Sequence, residues 1–341
     1  MINQNINKNP MLDVLKYICA ILVIGIHAAP LFFNFSVNLY LSQWLFRFAV
    51  PLFVISSGFF FEKMDDSKMV KYMLRIFYLY IFCAVIYLPL TVKTNDIISM
   101  ADVPRLINIL FLGWYHLWYL SALVVALFLS FILRKVLPLE KFKRLYILIS
   151  ISLILVGAFF DEYYKLFNFD ILNKIANIID KFGSTRNYLF MVFPLLTIGR
   201  LIYIEREKIF SIKPKVYMLI TLLFLVLSAM EVAIFEGMNN FNISCDLTLF
   251  NFVPAITLFI LTFYYHPKCL EGKTTPLRKQ ADIIYIIHIW VIEIIDIFFG
   301  LTYYWKYIAV ILSSCLIAWL FIKITTLIKE WRRKAKQSVN H

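Results

Sequence analysis

Charged side chains are scarce in this chain of 341 residues: they make up 16%, against about 25% in a soluble domain. With 62% hydrophobic residues and a mean hydropathy of +0.78, that scarcity excludes a water-soluble globular fold. Cysteines are few, at five (Cys19, Cys83, Cys245, Cys269, Cys315), odd in number and never at CxxC spacing. A disulfide framework and a zinc site both lack support. His27, His116 and His288 border or enter apolar segments, but no two stand at i,i+3 or i,i+4 spacing and their expected depths differ. No metal is expected. P-loop, GxGxxG and GxSxG motifs are missing. No low-complexity linker, second soluble domain or internal repeat is apparent. No secretory signal is evident either: Lys8 is the one charge ahead of the first apolar stretch. That stretch runs to about 22 residues without a small-x-small cleavage site, so it reads as a retained span.

What is present is length in apolar runs. Ten segments fall near 12–33, 39–61, 69–92, 114–137, 143–160, 186–205, 214–235, 247–266, 281–300 and 304–327. At about 18–24 residues each, they suit a ~30 Å hydrocarbon core. The expected fold is an all-α polytopic membrane protein of about ten transmembrane helices. A shorter, partly apolar stretch from Asp96 to Gly113 reads as an interfacial or re-entrant helix. Aromatics at 18% suit lipid-facing surfaces and interfacial belts.

The net charge of +13 reports topology rather than nucleic-acid binding. With the N-terminus inside, inner segments hold 24 basic residues and outer ones 7. Both termini are therefore expected in the cytoplasm. Residues 1–328 form the membrane domain on this reading. Residues 329–341 form a basic cytoplasmic tail, suited to anionic lipid headgroups. The location is a cell membrane, crossed many times, bacterial plasma membrane being the expectation.

Ionisable residues inside spans are costly and read as functional by default. Lys16 and His27 lie eleven residues apart on the first span, hence on one helix face, about 16 Å apart along the axis. Lys16 lies near the cytoplasmic end, where snorkelling is the plain alternative. His27 lies in the outer half, suited to proton transfer or ligand contact. Arg47 and Glu231 share an outer depth. An Arg47–Glu231 ion pair would explain both, and Glu231 is equally a candidate partner of His27. Lys71 and Arg75 sit four apart on one face near the cytoplasmic surface. They read as snorkelling residues or as a clamp for a phosphate-bearing ligand. Arg206 adds positive potential on that side. Trp114, Tyr115, Trp118 and Tyr119 form an aromatic belt around His116. His288 follows Tyr285 in the cytoplasmic half of the ninth span, a packed pair or a polar contact. Glu293 and Asp296, further out, point to an interior polar channel. Ser56-Ser57-Gly58 reads as a tight helix-packing or helix-breaking point rather than a nucleophile.

These pieces in order resemble the acyltransferase-3 family of integral membrane O-acyltransferases. Leu12-Asp13 followed by Lys16 and His27 matches its first helix, where arginine is more usual than lysine. Val50-Pro51-Leu52-Phe53 with Ser57-Gly58-Phe59 matches its second. Lys71 with Arg75, His116 to Leu120, and Tyr285 to His288 match later motifs. The lysine form and the His-Leu-Trp-Tyr-Leu run are also similar to the membrane half of membrane-bound serine racemases, a half associated with serine supply. The sequence ends where such a racemase domain would begin.

The resemblance implies an acyltransferase of groups other than amino-acyl groups. Its co-substrate would be cytoplasmic acyl-coenzyme A, acetyl-coenzyme A in the first instance, with no tightly bound cofactor. Lys16, Lys71, Arg75 and Arg206 would hold the donor. His27 would be general base, with Glu231 orienting it and Arg47 or His116 stabilising the oxyanion. Trp118 and His288 would join His116 in contacting the acceptor, an extracytoplasmic glycan or small molecule. The alternative is a carrier for a small polar solute such as L-serine.

Overall fold

Asn9 starts the first helix: its side chain accepts the Leu12 N–H at 3.0 Å, and Pro10 follows at a position where its missing N–H costs nothing. The computed structural model describes residues 9–167, 169–181, 183–238, 247–265 and 267–339. Among these, every regular element is helical. In chain order they are α1 (Pro10–His27), α2 (Phe35–Glu62), α3 (Asp66–Thr94), α4 (Val103–Leu112), α5 (Tyr115–Val136) and α6 (Lys143–Asp161). Then come α7 (Asp170–Lys181), α8 (Tyr188–Ile204), α9 (Pro214–Gly237), α10 (Phe252–Leu261), α11 (Thr275–Phe299) and α12 (Tyr303–Val339).

Seven of these are long and apolar enough to cross a membrane: α1, α2, α3, α5, α6, α9 and the Tyr303–Arg333 part of α12. The protein is thus an all-helical, polytopic membrane protein. Each of the ten expected segments contains a helix, but not always the expected one. α10 has 10 residues, about 15 Å, half of what the 247–266 run suggested. α8 has 17 residues and opens in a π-turn, Tyr188–Val192. α11 is long, at 25 residues, but carries Arg278, Lys279, Asp282, Glu293 and Asp296, so it belongs against other helices rather than lipid. The stretch after Asp96 does form a helix, α4. α7 was not expected at all: residues 161–186 read as a plain loop, yet Ile171, Ile175 and Ile178 line one side of a short amphipathic helix. α12 continues as one helix through the basic tail.

The chain divides into two compact units, residues 1–49 with 260–341, and residues 50–259. In the first, α1 packs along α11 and α12. Asp13 accepts from Thr274 Oγ1 at 2.9 Å, and the His27 ring meets that of His288, the same offset of 261 residues at both points. α1 and α11 are therefore parallel and in register over four turns. One edge of α1, Tyr17, Ile21 and Gly25, faces α12 at i,i+4 spacing: Tyr17 Oη lies 3.2 Å from Cys315 Sγ, and Tyr307 Oη donates to the Ile21 carbonyl at 3.3 Å.

In the second unit, α2 and α8 cross at two glycines. A Cβ on Gly58 would run into the Leu196 carbonyl, and one on Gly199 into the Ile55 carbonyl. This bears out Gly58 as a packing point.

Candidate functional site

α1 ends at His27 rather than near residue 33, so His27 is the last helical residue instead of one six residues short of the span's end. The chain after it is non-helical but held: Asn38 Oδ1 accepts from the N–H groups of Leu31 at 2.7 Å and Phe32 at 2.9 Å. His27 is half-buried. His288 is fully buried, at 0% exposure, and the two ring centroids stand 5.3 Å apart with a 39° tilt. The expected difference in depth between these histidines is therefore wrong. α11 begins at Thr275, six residues before the expected 281, which moves His288 about 9 Å further along its helix. Among the described residues no group of three His, Cys, Asp or Glu suits a metal ion.

Lys16 lies on the same uninterrupted helix, half-buried, with Asp282, Asp13 and Arg278 as its charged neighbours. The first unit thus carries a charged cluster at one end of α1 and a histidine pair about 16 Å further on. Arg47 sits on a short 3-10 turn, Leu45–Phe48, that follows a π-turn, Leu39–Trp44, within α2. It donates to Gln43 Oε1 at 2.5 Å. Local widening of this kind is common at functional sites.

The other expected residues fall in the second unit. Lys71 and Arg75 are exposed near the start of α3. Arg206 donates to the Tyr203 carbonyl at 2.9 Å and lies over that residue's ring at 4.6 Å. His116 is buried, edge-on to Tyr87 at 4.7 Å. Trp118 lines a narrow pocket with Ser121, Arg186, Asn187 and Tyr188, the Arg186 guanidinium 5.8 Å from its ring centre. Arg186 lies in the loop before α8, where burial lowers its pKa from the usual arginine value and nearby Asp161 opposes that shift.

Glu231 has local work. One carboxylate oxygen accepts the Tyr163 hydroxyl and the Leu249 N–H at 2.7 Å, and the other accepts the Phe250 N–H at 3.2 Å. Asp161 similarly accepts from Thr185 Oγ1 at 2.5 Å and the Leu247 N–H at 3.2 Å. These carboxylates satisfy the broken backbone ahead of α10.

One pair escaped the sequence reading. Arg200 is fully buried, and its Nε donates to Glu62 at 2.6 Å. Among the described residues its two Nη atoms meet no hydrogen-bond partner. Its sequence signal is a charge inside the apolar run Phe193–Ile204, close to the basic loop that follows.

Comparison with known proteins agrees with this architecture. The family model described as an acyltransferase domain, acyltransferase-3, matches residues 9–323. A serine/alanine racemase of Enterococcus gallinarum is 25% identical over 274 residues, 76% of this chain and 38% of the relative. An amino-acid racemase of Enterococcus faecalis is 25% identical over 305 residues, 83% of this chain and 41% of the relative. The chain thus spans less than half the length of these curated relatives. No solved structure matches it significantly. With the match running from Asn9 to Lys323 and covering both Lys16–His27 and Tyr285–His288, the chain belongs to the acyltransferase-3 family of membrane proteins.

Proposed function

We propose that this protein transfers an acyl group, acetyl in the first instance, from cytoplasmic acyl-coenzyme A to a hydroxyl on an extracytoplasmic glycan or small molecule. The observation that carries the reading is the course of α1. One unbroken helix leads from the charged cluster at Lys16 to His27, paired with His288 where the helix ends. On this reading the chain crosses the membrane ten times with both termini inside, α10 serving as a half-length element. The basic residues in and beside the loops between α2 and α3, α5 and α6, and α8 and α9 then face the cytoplasm. Exposed Lys71 and Arg75, with Arg206, meet the donor's phosphates. The pantetheine arm runs past Lys16, and the distance to His27 matches its reach.

At the far end His27 takes the proton of the acceptor hydroxyl as its oxygen bonds to the acyl carbon. The carbon–sulfur bond then breaks, and the proton passes from His27 to the departing thiolate. Arg47, in the same unit as His27, stabilises the oxyanion between these steps. Glu231 drops out of the mechanism, its oxygens already engaged by Tyr163, Leu249 and Phe250.

A second reading is passage of L-serine along the same path, and a relative named as a serine/alanine racemase gives serine as the solute to test. One experiment separates the two. Purified protein in lipid nanodiscs is titrated with acetyl-coenzyme A and with L-serine, and thiol release is followed in wild type, His27→Ala and Arg75→Ala. Acyl transfer predicts coenzyme A binding that weakens in Arg75→Ala, and thiol release that is lost in His27→Ala. Serine binding with no response to coenzyme A overturns it.

A further inference from the structure

α7 divides into three sectors rather than two. At about 100° per residue, Ile178, Ile171 and Ile175 fall within about 60° of arc, and Ile179, Leu172 and Ala176 within about the next 60°. The polar residues, from Asp180 round to Lys174, take up the rest. Burial follows these sectors. Ala176 is 4% exposed, and Leu172 and Ile179 are half-buried, so that sector meets the protein. Ile171, Ile175 and Ile178 are 62%, 36% and 55% exposed. They are apolar, yet turned away from the protein.

Both ends of α7 sit where other helices end. Ahead of it, the Tyr163 ring packs on that of Phe235, close to the end of α9 at Gly237, with centroids 5.0 Å apart. Behind it, a Cβ on Gly183 would come within 3.2 Å of the side chain of Leu112, the last residue of α4. The span before α7 is α6, whose 19 residues reach about 28 Å, close to the thickness of a hydrocarbon core. Its Ile151, Leu155 and Val156 are exposed, as lipid-facing residues are. α7 therefore starts just beyond the hydrocarbon and stays at the level of the helix ends.

We infer that α7 lies in the plane of the membrane surface, on the side where α6 ends, with Ile171, Ile175 and Ile178 dipped into the acyl chains of that phospholipid leaflet. A short helix with one apolar edge and lysines beside it suits this position. The apolar surface begins ahead of the helix, at Phe167 and Phe169, both exposed, their rings stacked at 6.5 Å. Lys174 and Lys181 are the first polar residues beyond Ile178 on the edge away from the protein. Their stems lie along the lipid boundary and their ammonium groups meet headgroup phosphates. Asp180 takes the opposite edge, beside Ala176, and Asn173, Asn177 and Asp170 between the edges face water. Leu112 and Gly183 also line the pocket of Trp118 and Arg186, so the seating of α7 sets that pocket at the membrane surface. The inference rests on α6 crossing the membrane and is the same for acyl transfer and for solute passage.

The test places a spin label on Ile175→Cys or Asn177→Cys, on opposite sides of α7, in the full chain with its five native cysteines replaced by serine. The protein sits in nanodiscs of phosphatidylcholine with phosphatidylglycerol, and collisions with oxygen and with a nickel chelate report depth. The label at 175 is expected about 5–10 Å below the headgroups, and the label at 177 in water. Equal, water-like depths at the two positions overturn the inference. If the serine background folds poorly, p-benzoylphenylalanine at position 175 or 177 of the chain with its native cysteines gives a second measurement. Irradiation should yield lipid adducts at 175 and none at 177. A covalent dimer formed through position 175 would instead assign the isoleucine edge to a second copy of the chain and overturn its seating in lipid.

Discussion

Removing one member of the Arg200–Glu62 pair should cost far more than removing both. The side chains are 0% and 8% exposed, and they meet at 2.6 Å. Breaking such a pair strands a buried charge, at about 3–5 kcal/mol, whereas replacing both members with apolar residues of similar size is often neutral or stabilising by 1–4 kcal/mol. The structure sharpens this general figure. Arg200 uses Nε on Glu62, while Nη1 and Nη2 meet no partner among the described residues. The native pair therefore already carries desolvated donors, each worth about 1–3 kcal/mol if nothing satisfies them. Glu62→Leu should be the worse single change, because a lone guanidinium cannot be neutralised while a lone carboxylate can take up a proton. Arg200→Met should follow, and the double variant should match or exceed wild type. Unfolding in mild detergent, followed by tryptophan fluorescence during an SDS titration, gives the three values. A double variant as unstable as the single ones would refute the reasoning and mean that groups outside the pair hold the Nη atoms.

Glu231→Leu orphans two backbone N–H groups and the Tyr163 hydroxyl, so it should lose about 3 kcal/mol or more, and Tyr163→Phe about 1 kcal/mol, in the same titration. A loss below 1 kcal/mol for Glu231→Leu would remove its role as a backbone cap. Gly58→Ala and Gly199→Ala force α2 and α8 apart and should each lower the melting temperature. Gly237→Ala, whose added Cβ meets nothing within 4 Å among the described residues, should be neutral or gain about 0.4–1 kcal/mol. Glu205 lies just outside the apolar part of α8, and hydrogen bonds from Lys143 and Lys208 hold its carboxyl below the usual range. A depressed value means stabilisation that is present above the unfolded value of about 4.3 and lost as pH falls through the folded one. Wild type should therefore melt above Glu205→Gln at pH 6, and the two curves should converge below about pH 4. A gap that persists in acid would contradict that assignment.

Much of the architecture is legible in the sequence because hydrocarbon thickness imposes run length, and the apolar runs mark a helix at each of the ten places. The failures have specific causes. The run at 247–266 is apolar throughout, and composition does not reveal that its first residues leave the helix, because their N–H groups are satisfied by Asp161 and Glu231 from distant helices. α7 was hidden because its stripe of isoleucines has helical period but too little total hydropathy to be noticed as a span. The neighbourhood of His27 and His288 depends on where two helices start and stop. Six residues at the start of α11 decide it, and boundaries are what patterns give least well.

The same comparison changes what an intramembrane charge means in this chain. In the sequence, Glu231 and Lys16 each carry a functional reading beside a plain one, an ion pair with Arg47 for the first and snorkelling for the second. The structure separates them by what their atoms are already doing. Where helices break, the exposed backbone must find partners away from water, and Glu231 and Asp161 supply them ahead of α10. After α1 the neutral Asn38 performs the same repair, accepting from Leu31 and Phe32. The first unit therefore closes its helix break without spending an ionisable group on it. Its polar residues include Lys16 among charged neighbours and His27 against the ring of His288. In a bilayer a costly polar side chain calls for a reason to be there, and the proposed acyl transfer at the end of α1 offers one.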